Sequence, residues 1–256
     1  LSLATSSACS SASHAISVAL DQIRAGRAEV IISGGGEAVV TYTGIGGFNS
    51  LHALSTRNDS PTTACRPFSK SRDGLVLGEG AACLILEEYE HAKARGAKIY
   101  AELVGVGMTC DAYHITASDP EGQGAVKAMQ QAIASAGIKV EDIDYINAHG
   151  TSTPLGDVAE VKAIQQVFGN HAYKLNITSS KSMTGHLLGA TGVVEAIISI
   201  LSVVNQVVTP TINHEEDDKD PNIDYNLNFT FNQPQEREIR YALSNNFGFG
   251  GHNACL

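Results

Sequence analysis

Little in this sequence favours the special classes of protein. It has 7 prolines, no tryptophan and no low-complexity tract, which excludes collagen-like, mucin-like and disordered chains. Basic residues are scarce, 17 Lys+Arg against 27 Asp+Glu, so the net charge of −10 argues against broad attraction to nucleic acid or anionic lipid. The longest apolar run, 193–204, is interrupted by Glu195 and falls short of the ~20 residues that cross a bilayer. Five cysteines are widely spaced without a C-x-x-C pair, which disfavours a disulfide framework and a zinc site and points to a reducing, cytoplasmic compartment. Signal-peptide features are lacking and the first residue is Leu1, so the chain reads as the later part of a longer protein. Walker A, G-x-G-x-x-G, G-x-S-x-G and H-E-x-x-H motifs are also missing.

What remains is an ordinary globular composition, 43% hydrophobic and 17% charged, long enough for one large domain or two similar halves. Helix and strand signals alternate. Ala12, Ala15, Ile16, Ala19, Leu20 and Ile23 mark one face of a helix that Gly26 ends. Residues 29–33 read as a buried strand entering a tight Gly34-Gly35-Gly36 passage. Further helices are predicted over 125–136, 157–168 and 189–206, strands over 143–148 and 241–245, and a solvated loop over 213–222. The similar order of elements around Cys9 and around Gly189 suggests a weak internal duplication, divided near residues 96–100.

Four segments carry chemistry. Cys9 lies among small residues at a predicted helix start, where free N–H groups favour a thiolate and can hold an oxyanion; a buried apolar filler is the equal alternative. His149 follows a strand and precedes Gly150, so a loop can project its imidazole into a cleft; taken alone, a satisfied core histidine is the commoner case. Lys181 and His186 lie five residues apart, able to set a cation near an imidazole or a developing negative charge; a solvated lysine and a surface histidine are the alternative. Phe249 is flanked by glycines, so its backbone can offer an N–H while the ring acts as a movable cover.

Together, SACSSAS at Cys9, NAHGTSTPLGD at His149, KSMTGHLLGA from Lys181 through His186 and NNFGFGGHN at Phe249 resemble the β-ketoacyl-acyl-carrier-protein synthases, in the elongating form of bacterial synthase II. That resemblance implies an α/β, thiolase-like fold, with duplicated halves in α-β-α-β-α layers, of which 1–98 would be the remainder of the N-terminal half and 99–256 the C-terminal half. It implies decarboxylative Claisen condensation with malonyl-acyl-carrier protein. Cys9 would take the acyl group, His149 and His186 would act on the malonyl group, and Lys181 would support them. Backbone N–H groups of Cys9 and Phe249 would form the oxyanion hole. Thr151, Thr153 and Thr116 would bind the phosphopantetheine arm. Acyl-carrier protein in its acyl and malonyl forms is the expected partner, met by local basic residues such as Arg57, Arg66 and Lys70. A homodimer is implied, and no cofactor, metal, nucleic acid or membrane span. His252, where Thr is usual, and His52 depart from the pattern. A ketosynthase of an aryl-polyene or polyketide pathway is the nearest alternative; a non-catalytic chain-length partner subunit and a thiolase fit less well.

Overall fold

The computed structural model describes residues 2–256. In chain order the elements are α1 (Ser11–Arg24), β1 (Val30–Glu37), α2 (Tyr42–Ser50), β2 (Gly80–Glu87), α3 (Tyr89–Ala94), β3 (Gly107–Cys110), α4 (Gln123–Ala136), β4 (Tyr145–Asn147), α5 (Pro154–Phe168), β5 (Asn176–Thr178), α6 (Lys181–Thr184), α7 (Thr191–Asn205), β6 (Val207–Val208), β7 (Gln235–Glu236), β8 (Ala242–Gly248) and β9 (His252–Cys255).

The apolar stripe of α1 buries Ala12, Ile16, Ala19 and Leu20, as its spacing requires. The α4 helix ends at Gly137, whose φ of +69° is the left-handed cap that glycine supplies most readily. Layers follow from these faces. An antiparallel pair, β1–β2, packs on α1 and α7, which contact each other. On the other side of α7 lies a five-stranded sheet of order β3-β9-β8-β4-β5, backed by α4 and α5. The sequence β, α, β, α is contained in the expected five-layer order.

Two expectations for the first strand need correcting. It runs on through Gly34–Gly36 and is not ended by them. A Cβ on Gly34 would lie 2.2 Å from the carbonyl oxygen of Ala82, so the glycines let β1 and β2 approach closely. Nor is it buried on both sides: Ile32 and its register partner Ile85 are 72% and 67% exposed on the outer face.

The seam between α1 and α7 is built from small groups. A Cβ on Gly192 would meet Ser13 Oγ at 2.2 Å, and one on Gly35 would meet Ala12 Cβ at 3.2 Å and Ala190 Cα at 3.3 Å. Helix, helix and strand therefore come together at backbone distance just beyond Cys9. On the far side, β4 runs parallel to both β5 and β8, which gathers three strand C-terminal ends at one edge. Such an edge is where open α/β sheets place their ligands.

Candidate active site

Each gathered strand delivers one segment picked out in the sequence. β4 leads into His149, β5 into Lys181 and His186, and β8 into Phe249. Cys9 enters from the central layer, one residue before the α1 N-cap Ser10. Gly150 (φ +35°) and Ser152 (φ +65°) fold the loop after His149 back on itself, and Thr151 and Thr153 there share a hydroxyl–hydroxyl bond of 2.9 Å. Thr116 lies beside the Phe249 turn, because the carbonyl of its neighbour Ile115 accepts from Gly250 N–H at 2.7 Å.

The Cys9 thiol is buried, and the nearby backbone N–H groups of Phe249 and of Cys9 itself favour its thiolate. Two N–H groups converging on one sulfur are what an oxyanion next to that sulfur would need. The expected lowering of the thiol pKa is not found. Burial outweighs the two N–H groups and the Lys181 charge and pushes the thiol up to about 11, so Cys9 rests as a thiol.

His149 and His186 pack edge to face, centroids 5.4 Å apart. Burial and the Lys181 charge hold both imidazoles well below the usual histidine range, and His186 lowers His149 further. Both rings are therefore neutral at pH 7. His186 Nδ1 shares a 3.0 Å hydrogen bond with Thr191 Oγ1, and its Nε2 is buried with no protein partner among the described residues. His149 Nδ1 is likewise buried and unpartnered among them.

Sequence reasoning missed the groups that hold this arrangement. Glu195 is the residue that interrupts the apolar run, and a lone carboxylate there was the available signal. It is buried, its Oε1 2.6 Å from Lys181 Nζ, and its Oε2 accepts from Asn246 Nδ2 at 2.7 Å. Ser13 Oγ donates to Asn246 Oδ1 at 2.5 Å, which joins α1, β8, α7 and α6 in one buried chain of bonds. Glu160 accepts the N–H groups of His149 and Gly150, each at 2.8 Å, and Asn245 Nδ2–H at 3.1 Å. Phe48 in α2 lies 6.2 Å from Phe249, ring to ring. The basic docking set is corrected too. Arg66 is buried, bonding Thr63 O and Ser71 Oγ, and Arg57 donates to Ser71 O; Lys70 alone of the three is exposed.

Glu160 supplies a pH test. Burial outweighs its hydrogen bonds and pushes its carboxyl up to about 7. The folded chain thus holds a proton that the unfolded chain gives up above about 4.5, so this group lowers stability as pH rises from about 4.5 to 7. Glu160→Gln does not titrate. Urea unfolding is expected to show the variant gaining on wild type, by roughly 2–3 kcal/mol, between pH 5 and pH 8. A difference that stays flat with pH would mean that Glu160 ionises as a free carboxylate does.

The family model for the β-ketoacyl synthase N-terminal domain matches residues 1–92, and that for the β-ketoacyl synthase C-terminal domain matches residues 100–215. The chain belongs to the β-ketoacyl synthase family. It is 53% identical over 253 residues to 3-oxoacyl-[acyl-carrier-protein] synthase 2 of Staphylococcus aureus, covering 99% of this chain and 60% of that one. Identity to the Synechocystis protein of the same name is 51%, covering 98% and 60%. The chain thus spans about 60% of the length of these curated relatives. Among solved structures, a β-ketoacyl synthase from Burkholderia phymatum superposes with a TM-score of 0.92 at 44% identity, covering 98% of this chain and 59% of that one. A type II polyketide ketosynthase in complex with its acyl-carrier protein gives 0.94 at 39%, covering 97% and 60%. The fold is the thiolase-like fold of β-ketoacyl synthases.

Proposed function

We propose that this β-ketoacyl synthase chain carries the reacting groups of an acyltransferase that elongates fatty acyl chains on acyl-carrier protein. One observation carries the reading: a single buried ammonium, Lys181, acts on Cys9, His149 and His186 together, with the Phe249 N–H at the Cys9 sulfur. Such a site meets negative charge at two points, next to a nucleophilic sulfur and next to a pair of neutral imidazoles.

In the first half-reaction the Cys9 sulfur bonds to the acyl carbon, the carrier thiolate leaves, and the Cys9 proton goes to it. The Cys9 and Phe249 N–H groups stabilise the tetrahedral oxyanion. In the second, the malonyl C–C bond breaks, CO2 departs, and the electron pair moves to an enolate oxygen facing His149 and His186. Neutral imidazoles stabilise that oxygen without protonating the carbanion. The carbanion then attacks the Cys9 thioester, releasing 3-oxoacyl product and a Cys9 thiolate, which takes up one proton. Thr151, Thr153 and Thr116 line the approach of the phosphopantetheine arm, residues 1–98 are the remainder of the N-terminal thiolase-like half, and residues 99–256 are the C-terminal half. The homodimer belongs to the same proposal, and five unpaired cysteines suit the cytoplasm.

The test uses the full-length protein. Incubation with acyl-carrier protein thioesters is expected to add one acyl group to the peptide holding Cys9, and malonyl-carrier protein to discharge it as 3-oxoacyl product. Label on Cys65, Cys83, Cys110 or Cys255 would sink the assignment. Relatives named synthase 2 are more identical than the polyketide ketosynthase, which favours a saturated chain. A much higher kcat/KM for a polyenoyl primer of equal length would move the protein to the polyene or polyketide reading.

Gating gives a further expectation. Gly250 has φ +84°, which a residue with a Cβ adopts only under strain, and it is the hinge beside Phe249. Gly250→Ala is expected to slow acylation about tenfold and leave CO2 release from malonyl-carrier protein nearly unchanged. Equal slowing of both steps would argue against a gate that serves the acyl chain.

A further inference from the structure

Arg72 is buried, and no step of the proposed reaction uses it. Two of its partners are acidic: Asp157 of α5, whose Oδ2 is 3.4 Å from Nε, and Asp220, whose Oδ2 is 2.8 Å from Nη1. Three more are backbone carbonyls. Nη1 donates to Ser69 O at 2.7 Å, Nε to Thr153 O at 3.1 Å and Nη2 to Pro154 O at 2.7 Å. A guanidinium holds its five N–H donors in a rigid plane, so this one side chain fixes its own segment and the Thr153–Pro154 backbone in a single geometry.

The loop it grips is one that lacks its ordinary support. Thr153 is the N-cap of α5, where a threonine hydroxyl commonly accepts an N–H of the first turn, and among the described residues it makes no such bond. Its hydroxyl turns instead to that of Thr151, at 2.9 Å. Just before it, Ser152 sits at φ +65°, a left-handed conformation that costs energy for a residue with a Cβ. The segment around Arg72 takes over the missing support. Arg66 N–H donates to Ser152 Oγ at 3.1 Å, Gly74 N–H to Ser152 O at 3.0 Å and Phe68 N–H to Asp157 Oδ2 at 2.9 Å. Arg72 alone among these acts through its side chain, and it holds the carbonyls of the cap residue and of the residue after it.

We propose that Arg72 is a positioning residue for the phosphopantetheine arm: by clamping the Thr153 and Pro154 carbonyls it replaces the absent cap bond and leaves the Thr151 and Thr153 hydroxyls free to meet the arm. The inference rests on the arm-binding reading of those two threonines. A hydroxyl spent on its own helix end has less to give a ligand, and one on an unsupported loop has no fixed place from which to give it. Arg72 removes both difficulties from behind the loop.

Acylation of Cys9 in the full-length protein tests it, measured with an acyl-phosphopantetheine thioester and with an acyl thiophenyl ester that lacks the arm. Arg72→Lys keeps a positive charge beside Asp157 and Asp220 but cannot reach both carbonyls. KM for the arm-bearing donor is expected to rise about fivefold with kcat within about twofold, and neither constant for the armless ester to change. Added to Thr151→Val and Thr153→Val, Arg72→Lys is expected to cause no further rise. An unchanged KM for the arm-bearing donor overturns the inference, as does a further rise in the triple variant. Equal slowing of both donors overturns it too, since Arg72 would then support the fold as a whole. Should Arg72→Lys fail to fold, Asp220→Asn, which removes one ion pair outside the threonine loop, is expected to give the same arm-specific rise at about threefold, and a KM equal to wild type for that variant overturns the inference. A wild-type protein that takes the armless ester as readily as the arm-bearing one would instead remove the threonine reading itself.

Discussion

Replacing Cys9 with alanine is expected to abolish acyl transfer, a loss on the order of 10⁴–10⁶ in rate, while leaving the fold intact. The sulfur is the atom on which the two N–H donors converge, and alanine has nothing to bond to an acyl carbon. Alanine suits the site sterically, since the surrounding seam is made of small residues. Release of CO2 from malonyl-carrier protein depends on His149 and His186 and should persist. Intact mass after incubation with acyl-carrier protein thioester, beside a CO2 assay, checks both parts. An acyl adduct on the variant, or CO2 release lost together with acylation, would contradict the division of labour.

Lys181→Met is expected to give the second-largest effect, and on two properties at once. Lys181 and Glu195 are both buried, so losing the ammonium strands a carboxylate that burial already pushes upward in pKa. Removing one member of such a pair costs about 3–5 kcal/mol, a fall in Tm of roughly 10 °C for a chain of this size. The imidazoles lose the charge that helps keep them neutral, and the Cys9 thiol loses the one that pulls it down. Adding Glu195→Leu removes the stranded carboxylate. The double variant should regain most of the stability and none of the turnover. A single variant as stable as wild type would show that Glu195 is neutralised by other means.

The sequence showed α1, α4 and α7 because apolar spacing is a local property, and the four motif segments because each sits at a strand or helix end. β1 was cut short because three consecutive glycines have no β-forming side chains, and only β2 lying against them shows that the strand continues. Cys9 was assigned its place and misjudged in its ionisation, since a helix start is visible in sequence and complete burial is not. Glu160 and Glu195 escaped for the same reason. Their hydrogen bonds reach across 10–85 residues, and only the fold brings those donors to them. Arg66 resembled a docking cation until Asp218 and Ser71 were found beside it.

The seam of Ala12, Ser13, Gly35, Ala190 and Gly192 has an evolutionary consequence. A methyl group gained at any of these positions pushes on the platform of Cys9 or on the anchor of Asn246, not on a forgiving apolar interior. Divergent descendants are therefore free to rewrite the outward faces of α1 and α7. Along the seam they must change size in compensating pairs, and a lineage that enlarges one side alone inherits a protein that folds and turns over slowly.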